Sequence, residues 1–122
     1  MFCHCRMRVL IADDQKSVGT SLAELVRFCQ HEVVEVVGTG LEAIHAFDRH
    51  RPDVVLMDYL MPKLNGVTAC RNIMAKYPSA RVILVSGSPK EIADSGAVEV
   101  LIKPVALDQL YAALYRAGLP RT

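Results

Sequence analysis

No apolar run in this chain approaches the ~20 residues needed to span a bilayer. The longest, such as Val54 to Met57 and Val82 to Val85, are strand-sized, so membrane insertion is not expected. Charge of one sign is equally scarce. Fourteen basic and thirteen acidic residues are spread along the chain, for a formal net charge of +1. That field is too weak to hold nucleic acid by its phosphates, and direct DNA binding is not expected. No segment is rich in Pro, Gly or Ser, about half the residues are apolar and 22% are charged, which excludes a disordered chain. Cysteines number only four. Cys29 and Cys70 fall at apolar positions of predicted helices, where a buried free thiol is common, and Cys3-His4-Cys5 has no second pair at the spacing of a zinc site. Neither a disulfide framework nor a structural metal is expected.

What is present fits one domain, since 122 residues bury a single sizeable core and are too few for two. Residues 1–6 are expected to form a disordered leader, residues 7–119 the folded domain and residues 120–122 a tail. The leader lacks the apolar core of a secretion signal, so cytoplasm is the expected location. Met7-Arg8-Val9-Leu10-Ile11 makes a natural domain start, which suggests an upstream extension from an early start codon. Val- and Ile-rich runs at Arg8 to Ala12, Glu32 to Val37, Val54 to Met57, Arg81 to Val85 and Val98 to Ile102 predict five strands. Between and after them, Val18, Leu22, Leu25, Val26 and Cys29 share one helical face. So do Val67, Cys70, Met74 and Tyr77, and likewise Leu107, Leu110, Tyr111 and Leu114. Helix starts are marked by Thr39 with Glu42, by Asn65 before Gly66, and by Ser88-Pro89 with Glu91. The alternation reads (βα)5. It calls for a doubly wound α/β fold, a five-stranded parallel sheet covered on both faces, with ligands bound beyond the carboxyl ends of the strands.

Those ends carry the chemistry. The first strand ends in Asp13-Asp14, the third in Asp58, the fourth in Ser86 and the fifth in Lys103-Pro104. Singly, each has a plain explanation as a cap, a turn or a solvated charge; together they bring three carboxylates, a hydroxyl and an amine to one rim. Carboxylates so close raise one another's pKa values unless a cation intervenes. An all-oxygen set with room for a phosphoryl oxygen suits Mg²⁺. Asp58 could then act as a nucleophile toward phosphorus and form an acyl phosphate. Lys103 and the metal would neutralise the transferring oxygens, and Ser86 would donate a hydrogen bond to one of them. Gly87 leaves room beside it.

On these residues the chain resembles the bacterial response-regulator receiver domain from Met7 to about Leu119. The resemblance rests on Val-Leu-Ile-Ala-Asp-Asp at 9–14, Asp-Tyr-Leu-Met-Pro-Lys-Leu-Asn-Gly at 58–66, Val-Ile-Leu-Val-Ser-Gly at 82–87 and Leu-Ile-Lys-Pro at 101–104. It implies a flavodoxin-like sheet of order 2-1-3-4-5, with Asp58 as phosphoacceptor in a two-component phosphorelay. The donor would be a sensor histidine kinase or a histidine phosphotransfer protein. By the same resemblance Asp14, Asp58 and the backbone carbonyl of Leu60 ligate Mg²⁺, Asp13 acts largely through water, Ser86 is the switch hydroxyl and Lys103 the phosphoryl-binding lysine. The Lys103-Pro104 bond resembles the family's cis peptide. Such a protein is a signalling phosphoacceptor and not an enzyme, catalysing only its own phosphorylation and slow dephosphorylation.

Two features depart from the family pattern. Val100 stands where an aromatic residue usually reports the switch. The segment between Ser86 and Lys103 is also shorter by about a helical turn or more, which implies a shortened fourth helix from Pro89 to about Asp94. The fourth helix, fifth strand and last helix form the family's usual contact surface, so signalling by another face is expected. With four residues after Gly118, the chain reads as a lone receiver or a piece of a longer protein. The runner-up reading is a phosphorylation-independent binding module of the same fold. A haloacid-dehalogenase-type phosphatase would need an acid where Leu60 stands, and a nucleotide or flavin binder would need a Gly, Ser or Thr loop in place of Asp13-Asp14-Gln15. The residues two beyond Asp58 and Ser86 are Leu60 and Ser88, neither a strong base, so slow loss of the phosphoryl group is expected.

Overall fold

The computed structural model describes residues 6–87 and 97–119. Its elements, in order, are β1 (Arg8–Ala12), α1 (Lys16–Phe28), β2 (Glu32–Val37), α2 (Gly40–His50), β3 (Val54–Asp58), α3 (Gly66–Lys76), β4 (Val82–Ser86), β5 (Glu99–Ile102) and α4 (Leu107–Ala117). The strands form one parallel sheet of order β2-β1-β3-β4-β5. This is the doubly wound order that the family resemblance implies. The short helix expected between β4 and β5, its Ser88-Pro89-Glu91 start, and Cys3-His4-Cys5 lie outside the described residues.

Strand period decides which side chains go where. Val55, Met57 and Leu84 point to the face covered by α2 and α3, where Phe47, Cys70 and Ile73 meet them. Their alternates Val54, Leu56, Ile83 and Val85 point to the face covered by α1 and α4, against Leu22, Val26, Leu110 and Leu114. Every residue of β3 and β4 is buried, as continuous apolar runs predict for strands covered on both faces. The edge strands differ. β2 keeps only Val37 buried and β5 only Leu101, because each has a neighbour on one side alone. Cys29 and Cys70 are free and buried.

Two helix starts match the sequence. Thr39 Oγ1 accepts from the Glu42 N–H at 3.0 Å, and Asn65 Oδ1 accepts from the Thr68 N–H at 2.9 Å. The capping box is shifted at its second bond, since Glu42 Oε1 accepts from the N–H of Gly38, not Thr39. α4 requires a larger correction. Leu110 and Leu114 are buried as expected, but the rest of the buried face is Ala113 and Ala117, while Leu107 and Tyr111 are exposed. Two alanines carry the contact that the larger side chains were expected to make.

Candidate functional site

The sheet ladder itself positions the polar groups. The Asp13 N–H donates to the Val37 carbonyl at 2.9 Å, the Tyr59 N–H just past Asp58 donates to Val85, and the Lys103 N–H donates to the Ser86 carbonyl, both also at 2.9 Å. Each functional residue therefore stands within one residue of a backbone bond to the neighbouring strand, and all face one rim. Asp13, Asp58 and Ser86 are buried there, whereas Asp14 is exposed.

Carboxylate oxygens of Asp13, Asp14 and Asp58 lie within 4.8 Å of one another. The Lys103 ammonium is 3.2 Å from Asp58 Oδ2 and 3.5 Å from Asp13 Oδ2. The longer contact is an ion pair without hydrogen-bond geometry, for Asp13 Oδ2 is buried and no described residue bonds to it. The other oxygen, Oδ1, accepts from the Gln15 N–H at 2.9 Å, a local Asx-type turn that sequence reading missed although Asp-x-x before a helix is its usual signal. One ammonium against three carboxylates leaves net negative charge. Burial raises the pKa of Asp58 from its ordinary value and Asp13 raises it further, while Lys103 and the Leu60 N–H oppose both. Burial thus outweighs the mutual repulsion that the sequence had suggested as the cause. A buried carboxylate oxygen with no hydrogen bond among the described residues, beside two more carboxylates, is a donor set that a hard divalent cation would complete.

The β3–α3 loop carries the rest. Leu60 is 67% exposed at the rim, and Lys63 turns the chain with φ of 72°. Gly66 donates its N–H to the Tyr59 carbonyl at 2.8 Å. The Lys103–Pro104 peptide is cis. Val100, at the position where the resemblance calls for an aromatic ring, is half-buried against the α2–α3 side of the core. Ser88, the second residue expected to flank the approach of water, lies outside the described residues.

The family model for the response regulator receiver domain matches residues 9–115. The chemotaxis protein CheY of Listeria monocytogenes is 36% identical over 117 residues, which cover 92% of this chain and 98% of that protein. The transcriptional regulatory protein PdtaR of Mycobacterium tuberculosis is 35% identical over 88% of this chain but only 54% of its own length. Among solved structures, CheY of Borrelia burgdorferi in a CheX-CheY-BeF3-Mg complex superposes with a TM-score of 0.87 at 27% identity, covering 93% of this chain and 90% of that one. The receiver domain of NarL from Mycobacterium tuberculosis also reaches 0.87, at 24% identity over 95% and 98% of the two chains. The fold, the rim constellation and these matches define a class, the receiver domains of two-component systems. This chain belongs to the response regulator receiver domain family. Among the described residues no helix is long and apolar enough to cross a membrane.

Proposed function

We propose that this receiver takes a phosphoryl group from a phosphohistidine, on a sensor kinase or a phosphotransfer protein, onto Asp58. The observation that carries the reading is the rim cluster, three carboxylates within 4.8 Å with an ammonium 3.2 Å from Asp58. An Asp58 oxygen attacks phosphorus, the P–N bond breaks as the O–P bond forms, and the leaving imidazole takes a proton from solvent. Lys103 holds the transferring oxygens electrostatically and Ser86 donates a hydrogen bond to one of them, so positioning does most of the work. Asp14, Asp58 and the Leu60 carbonyl would hold Mg²⁺ directly, with Asp13 acting through water. Mg²⁺, when bound, offsets negative charge on both the carboxylates and the phosphoryl oxygens. The Borrelia relative, crystallised with BeF3 and Mg, supports this reading. The protein is on this view a signalling phosphoacceptor and acts as a catalyst only on itself. Mass spectrometry after incubation with a small phosphodonor and Mg²⁺ tests the proposal: one base-labile phosphoryl group at Asp58 is expected, and none would overturn it. Val100 favours a second reading, a phosphorylation-independent binding module, which the latter result would support.

Asp14→Ala is expected to weaken Mg²⁺ binding more than Asp13→Ala, by about tenfold or more, because the exposed Asp14 is assigned as the direct ligand. Calorimetric titration of both variants checks this, and equal affinities would refute the assignment. Leu60→Asn concerns lifetime. The apolar side chain offers water no hydrogen bond, whereas an amide there can orient it toward phosphorus. Phosphorylated Leu60→Asn should decay several-fold faster than wild type at saturating Mg²⁺, and equal decay would show that water is not controlled from this position.

A further inference from the structure

The loop that carries Leu60 has little backbone bonding of its own. It is closed at its ends by the Tyr59 N–H on the Val85 carbonyl and the Gly66 N–H on the Tyr59 carbonyl. Between these, among the described residues, no backbone group of residues 60–64 bonds to another backbone group. The Leu60 N–H donates back to the Asp58 carboxylate, and Lys63 turns the chain through a left-handed conformation. Packing must therefore hold this stretch. Met61 is buried, and Leu64 lies half-buried against the α2–α3 side of the core.

Leu64 meets the first turn of α2. A Cβ on Gly40, the buried first residue of that helix, would overlap the Leu64 carbonyl oxygen and lie 2.9 Å from both its carbonyl carbon and its Cβ. Two of these three are backbone atoms, so no rotamer change removes the overlap. Helix propensity gives no reason for glycine here, since alanine is the better helix former. Nor is the turn free to retreat. Thr39 Oγ1 accepts from the Glu42 N–H, Glu42 Oε1 accepts from the Gly38 N–H, and the Asp13 N–H holds the Val37 carbonyl at the end of β2. Of the two surfaces in contact, the helix start is the pinned one and the loop is the one that yields.

We propose that Gly40 is a positioning residue for the metal site: the bare first turn of α2 is the wall on which the β3–α3 loop rests, and it sets where the Leu60 carbonyl stands. The inference rests on the proposed role of that carbonyl as a Mg²⁺ ligand. A Cβ at position 40 displaces Leu64, four residues from Leu60, in a stretch with no backbone bonds to absorb the shift.

Phosphorylation by acetyl phosphate, followed across Mg²⁺ concentrations, tests this beside calorimetric Mg²⁺ titration. Gly40→Ala should raise the Mg²⁺ dissociation constant and the half-saturating Mg²⁺ concentration about tenfold, as loss of an orienting contact does, while the rate at saturating Mg²⁺ stays within about twofold of wild type. Partial unfolding would instead lower the rate at every Mg²⁺ concentration and leave the half-saturation point where it was. Leu41→Ala, at the exposed next residue of the same turn, should bind Mg²⁺ like wild type. Leu64→Ala loosens the loop without overpacking it and should shift half-saturation in the same direction by a smaller factor, so it decides the matter if Gly40→Ala does not fold. An unmoved half-saturation point in Gly40→Ala, or in Leu64→Ala if only that variant folds, would overturn the proposal, as would an equal shift in Leu41→Ala. A wild type that binds Mg²⁺ but accepts no phosphoryl group would overturn the reading of Asp58 alone, and calorimetry would still decide the role of Gly40. A wild type that binds no Mg²⁺ would overturn both.

Discussion

Asp58→Asn is expected to reduce phosphorylation to background and at the same time to stabilise the metal-free protein. The amide is nearly isosteric but cannot form the acyl phosphate, so the first effect is complete. The second follows from burial. Asp58 sits at 6% exposure with its pKa raised first by burial and then by Asp13, against the opposing pull of Lys103. For a carboxyl group whose pKa is raised by folding, the stabilising contribution is full below its ordinary value of 3.8 and is lost as pH rises through the higher folded value. At neutral pH the wild type therefore carries a penalty that asparagine lacks. Its melting point should be lower than the variant's by a few degrees, a shift that about 1 kcal/mol produces in a domain of this size. The gap should close as pH falls below the ordinary carboxylate value. Thermal melts of both proteins without Mg²⁺, near neutrality and in acid, read this difference, since the other titrating groups are common to both. A gap that widened in acid would show that the Lys103 ion pair, not burial, dominates the energetics of Asp58. Continued labelling of Asp58→Asn would remove the phosphoacceptor assignment altogether.

The rim was readable in the sequence because strand ends are marked by abrupt changes from apolar to polar, and in a parallel sheet these ends converge. Asp13, Asp58, Ser86 and Lys103 needed no knowledge of side-chain packing to be placed together. Strand order was not readable from periodicity and came only with the resemblance. Faces were harder. In α4 the hydrophobic pattern admits two neighbouring faces, and small Ala113 and Ala117, weak in any hydrophobic signal, allow the closest approach to the sheet side. Leu107 and Tyr111 were consequently assigned to the wrong side. The relative weight of burial and repulsion at Asp58 was also hidden, because desolvation depends on how deeply a strand end lies under its covering helices. No sequence period reports that depth.

The same limit applies to Gly66, which reads in the sequence as the residue after an N-cap and in the structure as a point of close approach. A Cβ at this position would lie 2.3 Å from the carbonyl oxygen of Asp58 and 3.0 Å from both its carbonyl carbon and the Tyr59 Cα. All three are backbone atoms, so no rotamer change removes the clash. The N–H of Gly66 is meanwhile held by the Tyr59 carbonyl, so the helix start cannot simply retreat. Gly66→Ala must therefore move either the first turn of α3 or the Asp58–Leu60 backbone, and overpacking of this kind costs about 3 kcal/mol. Because the segment displaced carries the proposed phosphoacceptor and the carbonyl proposed to hold the metal, Mg²⁺ affinity and phosphorylation rate should both fall about tenfold or more. Gly87→Ala supplies the control. A Cβ there would meet nothing within 4 Å among the described residues, so its stability should stay within about 0.5 kcal/mol of wild type. Urea unfolding of the two variants separates a steric effect from a general intolerance of alanine, and Mg²⁺ titration of Gly66→Ala under conditions where it remains folded isolates the effect on the site. Wild-type stability in Gly66→Ala would mean that α3 slides along the sheet without cost. Lost stability with unchanged Mg²⁺ affinity would mean that the helix yields and the rim does not, so that the site's geometry is set by the strands alone.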